Sequence, residues 1–203
     1  IVFDDMVDFA KYAFNKSHAA GYALIGYQTA YLKAHFPKEF LAALMTSVMG
    51  NHTKLSLYIH NAKEKDIEVL PPDVNKSFEK FVVEDGNIRY GLLGVKNVGK
   101  GIIDSLVEIR KEREFEGFID FCERVESKEL NKRAIESLIK AGAFDKFKLL
   151  RSQLLAIFDK IVDSVHQNSR KNVKGQVSLF QTSEKMHSDN IINYNIPEIK
   201  ELK

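Results

Sequence analysis

The sequence predicts a mainly α-helical protein: a helical block, a small β connector, a second helical unit and a flexible C-terminal tail. Three observations carry this. Apolar residues recur at spacings of three and four through the first 65 positions and again from 99 to 165. A short β pattern around an acidic-glycine turn lies between those regions. A polar stretch without periodicity follows them.

Residues 4–16 place Val7, Phe9, Ala10, Tyr12, Ala13 and Phe14 at helical spacing, which predicts a helix with one buried stripe. Residues 18–34 continue helically. Pro37 suits a first helical turn, after which Phe40, Leu41, Leu44, Met45 and Val48 repeat the period until Gly50 stops it. A fourth helix is expected from about Lys54 to Lys65. Ile67 to Leu70 is a short apolar run closed by Pro71-Pro72. Lys80 to Val83, the turn Glu84-Asp85-Gly86-Asn87, and Ile88 to Tyr90 then predict a small hairpin or edge sheet. Helices are expected again at 99–113, 117–125, 131–141 and 148–165, and the polar stretch from Asp163 to Gly175 reads as a flexible linker. The expected segmentation is 1–66, 67–91, 92–165 and 166–203.

With 203 residues, 44% hydrophobic and 29% charged, the chain has the composition of a folding globular protein. A net charge of +2 is too balanced to announce a nucleic-acid binder from the total, so any basic surface must be local. The lone Cys122 excludes an intramolecular disulfide framework and fits a reducing compartment. No apolar run approaches the ~18 residues of a spanning helix, and no leader is evident, so a cytoplasmic protein without a membrane partner is the expectation. The chain starts without Met inside an amphipathic pattern and stops as abruptly, which reads as an internal piece of a longer polypeptide.

Four places could carry chemistry. Asn15, Lys16, Ser17 and His18 bring an amide, an ammonium, a hydroxyl and an imidazole to a helix junction, where Ser17 could cap a helix whose amides favour a phosphate; a plain cap is the simpler alternative. Gly91 to Ile102 is a glycine-bearing turn running straight into a helix. There Gly99 and Gly101 would let backbone N–H groups approach a phosphate, with Lys96 and Lys100 as flanking charges; a glycine turn used only for packing is the alternative. The pattern resembles the helix-hairpin-helix motif and is neither a Walker loop nor a dinucleotide fingerprint. Between 126 and 151, seven basic residues (Lys128, Lys132, Arg133, Lys140, Lys146, Lys148, Arg151) face four acids, against the alternative of an ordinary solvated helix face. Finally, Gln176-Val177-Ser178-Leu179-Phe180 sets an apolar pair in a polar tail, the form of a short linear anchor for a partner's pocket.

Taken in order, Phe14-Asn15-Lys16-Ser17-His18, Tyr27 to Pro37, Leu70-Pro71-Pro72-Asp73-Val74-Asn75, the glycine hairpin and Leu138 to Asp145 closely resemble the alpha subunit of bacterial DNA polymerase III. The resemblance covers residues 1 to about 180. It implies the C-terminal part of the fingers, a connecting sheet and a tandem helix-hairpin-helix region gripping duplex primer-template DNA. It also implies contacts of Asn15, Lys16, Ser17 and His18 with the incoming deoxynucleotide. Lys96, Asn97, Val98, Gly99, Lys100 and Gly101, with Lys132 and Arg133, would hold the DNA backbone, although 126–133 lacks a Gly-x-Gly turn. Gln176, Val177, Ser178, Leu179 and Phe180 are similar to the family's peptide for the sliding clamp, the beta subunit, with Val177 where Leu is more usual. Other replisome subunits are implied partners of the parent. The family's metal-binding carboxylates lie upstream of Ile1, so Mg2+ is expected for the whole polymerase and not for this piece, which should be inert alone. A non-enzymatic helix-hairpin-helix DNA-binding adaptor is the competing reading; it gives no reason for the Asn15 to His18 segment.

Overall fold

The structure, a computed structural model, describes residues 1–12, 16–125, 131–171 and 197–201. Four helices come first: α1 (Val2–Tyr12), α2 (Lys16–His35), α3 (Pro37–Ser47) and α4 (His52–Lys63). Pro37 opens α3 as its spacing predicts. Asn51 starts α4 two residues ahead of the expected Lys54, because its side chain accepts from the Lys54 N–H at 3.0 Å. The buried stripe expected on the first helix is absent. Phe9 is 76% exposed and Val7 is also exposed, and α2 buries no residue along its length. The period identified the helix and its apolar side correctly, but among the described residues no element covers that side.

Strands β1 (Val69–Leu70), β2 (Val82–Glu84) and β3 (Asn87–Arg89) form one sheet in the order β1-β3-β2. β2 and β3 are antiparallel with Val83 opposite Ile88, and β1 joins β3 in parallel with Val69 opposite Ile88. Asp85 (φ 48°) and Gly86 (φ 82°) both sit at positive φ, the geometry of a two-residue hairpin loop. Arg89 crosses to Glu84 with two hydrogen bonds, at 2.7 and 3.1 Å, and donates to the Pro71 carbonyl at 2.7 Å, so its buried charge is answered on both sides.

The second unit holds a 3-10 turn at Leu92–Gly94, then α5 (Lys100–Glu112), α6 (Phe118–Arg124), α7 (Lys132–Ala141) and α8 (Arg151–Lys171). Each helix contributes residues three or four apart to one core, such as Ile102, Ile103 and Leu106 or Ile135, Leu138 and Ile139. Phe115, Phe118, Phe121 and Phe144 meet edge to face with centroids 5.0–5.2 Å apart. A separate core joins Leu41, Met45 and Leu55 to Phe81 and Ile88 of the sheet, and Tyr90 packs against both cores.

The Pro-Pro-Asp-Val-Asn stretch is the clasp between the units. Asp73 accepts from the Asn75 N–H at 2.8 Å and pairs with Lys146 at 2.8 Å. The Asn75 amide exchanges two hydrogen bonds of 2.8 Å with the Phe115 backbone, and the Val74 N–H reaches the Ala143 carbonyl at 3.1 Å. Gly142 (φ 86°) ends α7 in the left-handed conformation that turns the chain toward α8.

One boundary moves. The stretch from Asp163, read as linker, is helical as far as Lys171. It contains no Gly or Pro, and the buried Ile161 and Val162 anchor the preceding turn, so lack of apolar periodicity did not end the helix. Residues 197–201 return to the other end of α8, where the Glu201 carboxylate accepts from the Arg151 N–H at 3.0 Å.

Candidate nucleic-acid interface

Between the 3-10 turn and α5, Val95 and Val98 are buried in the core and Lys96 and Asn97 lie exposed between them. Alternation of this kind pins a short loop while presenting its tip. Asn97 holds a left-handed φ of 62°, which its short polar side chain tolerates, and its amide donates to the Ser137 hydroxyl at 3.1 Å. Ser137 in turn donates to the Arg133 carbonyl at 2.8 Å. The loop is therefore braced on α7. Gly99 is the N-cap of α5 and supplies no side-chain acceptor, so the first-turn amides and the positive end of the helix dipole are left for an external anion.

The glycines of this segment do different jobs. A Cβ on Gly91 would lie 2.6 Å from the Lys80 carbonyl carbon and 2.8 Å from the Phe81 nitrogen. One on Gly94 would lie 3.0 Å from the Tyr90 ring. These two are packing glycines. At Gly99, by contrast, nothing lies within 4 Å of a built Cβ and φ is −90°, so neither space nor conformation within the chain requires glycine there. A backbone bare at an exposed helix start is what close approach of a phosphate needs. Gly101 lies exposed in the same first turn.

The basic surplus of 126–151 is largely consumed within the fold. Lys140 pairs with Glu136 at 2.6 Å, Lys146 with Asp73, and Arg151 with Asp145, so the ordinary-helix-face alternative holds for them. Lys132, expected to hold DNA, instead bridges Asp163 at 2.8 Å and Asp159 at 3.1 Å on α8. The hydrogen bonds that its ammonium donates to those carboxylates, the one to Asp163 foremost, raise its pKa. Position near a hairpin does not show which acids a distant helix will bring. Arg133 remains exposed at the start of α7, where Asn131 caps the helix by accepting from the Arg133 N–H at 2.9 Å. Lys96 is exposed, and Lys100 has only a long 3.9 Å pairing with Glu79.

Lys16, Ser17 and His18 form the exposed first turn of α2, and His18 stacks on Tyr22 with centroids 4.3 Å apart. Ser17 is the second helical residue and so does not occupy the cap position expected of it. Asn15 and Gln176 to Phe180 lie outside the described residues, as does Lys128. The two sets are not brought together: α2 packs on α3, while the hairpin is braced on α7. The sequence reading passed over Asp73 and Asn75 as structural residues, although an Asp-x-Asn after Pro-Pro is an Asx-turn signal. It also passed over Phe78 and Lys80, whose place beside the hairpin comes only from the fold. Among the described residues no group of three or more His, Cys, Asp or Glu could hold a metal ion. Among them, too, no helix is long and apolar enough to cross a membrane.

A glycine-started helix, a loop braced on α7 and exposed lysines at the tip define a helix-hairpin-helix DNA-binding unit. The family described as "Helix-hairpin-helix motif" matches residues 66–154. Over 158 residues the chain is 49% identical to DNA polymerase III subunit alpha of Bacillus subtilis, covering 78% of the chain and 14% of that protein. It is 44% identical over 180 residues to the subunit of the same name from Borreliella burgdorferi, covering 88% of the chain and 16% of the relative. A Mycobacterium tuberculosis subunit of that name is 42% identical over 184 residues, covering 90% and 16%. The chain belongs to the DNA polymerase III alpha-subunit family, and it spans about one-seventh to one-sixth of the length of these relatives.

Proposed function

We propose that this chain serves a replicative DNA polymerase by gripping the backbone of duplex primer-template DNA through the Lys96–Gly101 hairpin. The observation that carries the reading is Gly99: a helix start with unsatisfied amides, open space above it and lysines on either side. Arg133 joins the grip from α7, and Lys132 positions α7 against α8. Sequence-independent holding suits a protein that must pass every base, because phosphate contacts position without reading.

On the same proposal, the first turn of α2 with Asn15, Lys16, Ser17 and His18 faces the incoming deoxynucleotide, supported by family membership and by the exposure of that turn. Gln176 to Phe180 anchors the sliding clamp, and the tether keeps the polymerase near the primer end by effective concentration. The parent acts in the cytoplasm with other replisome subunits, its Mg2+ chemistry supplied by carboxylates outside this chain. The chain alone neither binds that metal nor extends a primer.

The test is fluorescence anisotropy of the chain on a labelled duplex across a salt series. Salt-sensitive, sequence-independent binding whose slope falls by about one to two units in the Lys96→Ala/Lys100→Ala variant supports the grip. Unchanged affinity and slope in that variant refute it. Phe180→Ala separates the tether, since it should weaken clamp binding with DNA affinity intact.

A further inference from the structure

The segment Phe78–Lys80 lies against the 3-10 turn that leads into the hairpin. The Leu92 N–H donates to the Phe78 carbonyl at 2.8 Å, and the Leu93 N–H to the Glu79 carbonyl at 3.1 Å. From the other side the Phe81 N–H donates to the Thr46 hydroxyl at 3.2 Å. Gly91 lets the two backbones approach more closely than any Cβ would permit. A segment fixed at so many points has its side chains placed, and two of them point away from the core. Lys80 is exposed, and Phe78 is 48% exposed with the Arg110 guanidinium 4.6 Å from its ring centroid. That guanidinium is itself held, because it donates to the Val74 carbonyl at 2.9 Å. The ring is thus a backed platform with an apolar surface turned outward.

The connection to the hairpin is direct. Lys100, in the first turn of α5, lies 3.9 Å from Glu79, the residue between Phe78 and Lys80. Leu93, whose N–H donates to the Glu79 carbonyl, is also exposed. Lys80, Lys96 and Lys100 are all exposed, and Glu79, next to Lys80 in the chain, already faces Lys100. Among the described residues the Lys80 ammonium makes no ion pair, and the Phe78 ring, backed by Arg110, stays 48% exposed. Alternating ammonium and apolar groups match alternating phosphate and deoxyribose, the repeat of a nucleic-acid backbone.

We infer that Phe78 and Lys80 form a second contact on the duplex strand held by the hairpin, Lys80 on a phosphate and Phe78 packed on a neighbouring deoxyribose. This rests on the duplex-grip reading of the hairpin. The experiment is anisotropy of the whole chain on a fluorescein-labelled duplex over a salt series, with Lys80→Ala, Phe78→Ala, Phe78→Leu and the Lys96→Ala/Lys100→Ala double variant in parallel. Lys80→Ala should reduce the salt slope by about one unit. Phe78→Ala should weaken binding about tenfold with the slope unchanged, and Phe78→Leu, which keeps an apolar surface over Arg110, should lose less. Circular dichroism melts identify any loss that is only unfolding, and Phe78→Leu with the exposed Lys80→Ala then decide. Wild-type binding by either the Lys80 or the Phe78 variants, with loss in the double variant, overturns the second contact and leaves the hairpin grip standing. Wild-type binding by all of them overturns both.

Discussion

Gly91→Ala is the sharpest perturbation of this fold, because backbone conformation and space disagree about it. With φ −76° and ψ 131°, alanine meets no torsional penalty at this site. Its Cβ, however, would stand 2.6 Å from the Lys80 carbonyl carbon, 2.8 Å from the Phe81 nitrogen and 2.9 Å from the Glu79 carbonyl oxygen. All three are main-chain atoms, so no rotamer change relieves the contact. The segment must retreat, which strains the hydrogen bonds from Leu92 and Leu93 and loosens Phe81 in its core. Overpacking costs about 1–3 kcal/mol. One weakened buried hydrogen bond adds about 1 kcal/mol, for a total of about 2–4 kcal/mol. In a chain of this size that corresponds to a fall in Tm of about 5–15 °C. Calorimetry with urea melts reads it directly. A variant as stable as the wild type would show that the 79–81 segment is not seated on Gly91, and the rigid placement of Phe78 and Lys80 would fall with it.

Three further outcomes follow from the same geometry. Gly99→Ala should cost under about 1 kcal/mol, the difference between glycine and alanine at an N-cap, yet reduce duplex affinity; a variant that loses stability and keeps affinity reverses the assignment. Lys132→Ala should leave the salt slope of DNA binding unchanged while Arg133→Ala lowers it by about one, as read by the same anisotropy titration. The hydrogen bonds from the Arg89 guanidinium hold the Glu84 carboxyl below its ordinary range. Burial pushes the Asp120 carboxyl up, but the Glu116 N–H and the Arg113 and Arg124 guanidiniums outweigh it and lower it too. Since both are lowered on folding, their stabilisation is complete above the ordinary carboxylate pKa and is lost as pH falls through the lowered values. Urea midpoints measured from about pH 6 down to about pH 3 should drop, and Glu84→Gln should flatten that fall.

Local signals were read well where they act locally. The Asp-Gly turn, Pro37, the helix periods and the stop at Gly142 depend on neighbouring residues alone, and each appears where the sequence places it. Cover and pairing depend on distant residues and were not legible. The apolar side of α1 was visible but not whether anything covers it. Lys132 was visible as a cation but not its two carboxylates on α8. Gly91, Gly94 and Gly99 look alike in a string, and only what stands opposite each distinguishes packing from access.

That distinction bears on the proposed grip. A phosphate contact made by backbone amides is strong only if the amides are already in place, because ordering a loop on binding is charged against affinity. Here the tip residues Lys96 and Asn97 are flanked by two buried valines, Asn97 is held by Ser137, and the segment that enters the 3-10 turn behind them is pressed onto residues 79–81 through Gly91. The clasp of Asp73 and Asn75 then ties this assembly to Phe115, Ala143 and Lys146, and Tyr90 spans both cores. None of the clasp residues needs to touch DNA for its loss to weaken binding. Asn75→Ala removes two hydrogen bonds to the Phe115 backbone and leaves its N–H and carbonyl without those partners. It should therefore lower affinity together with stability while leaving the salt slope, which counts phosphates, where it was.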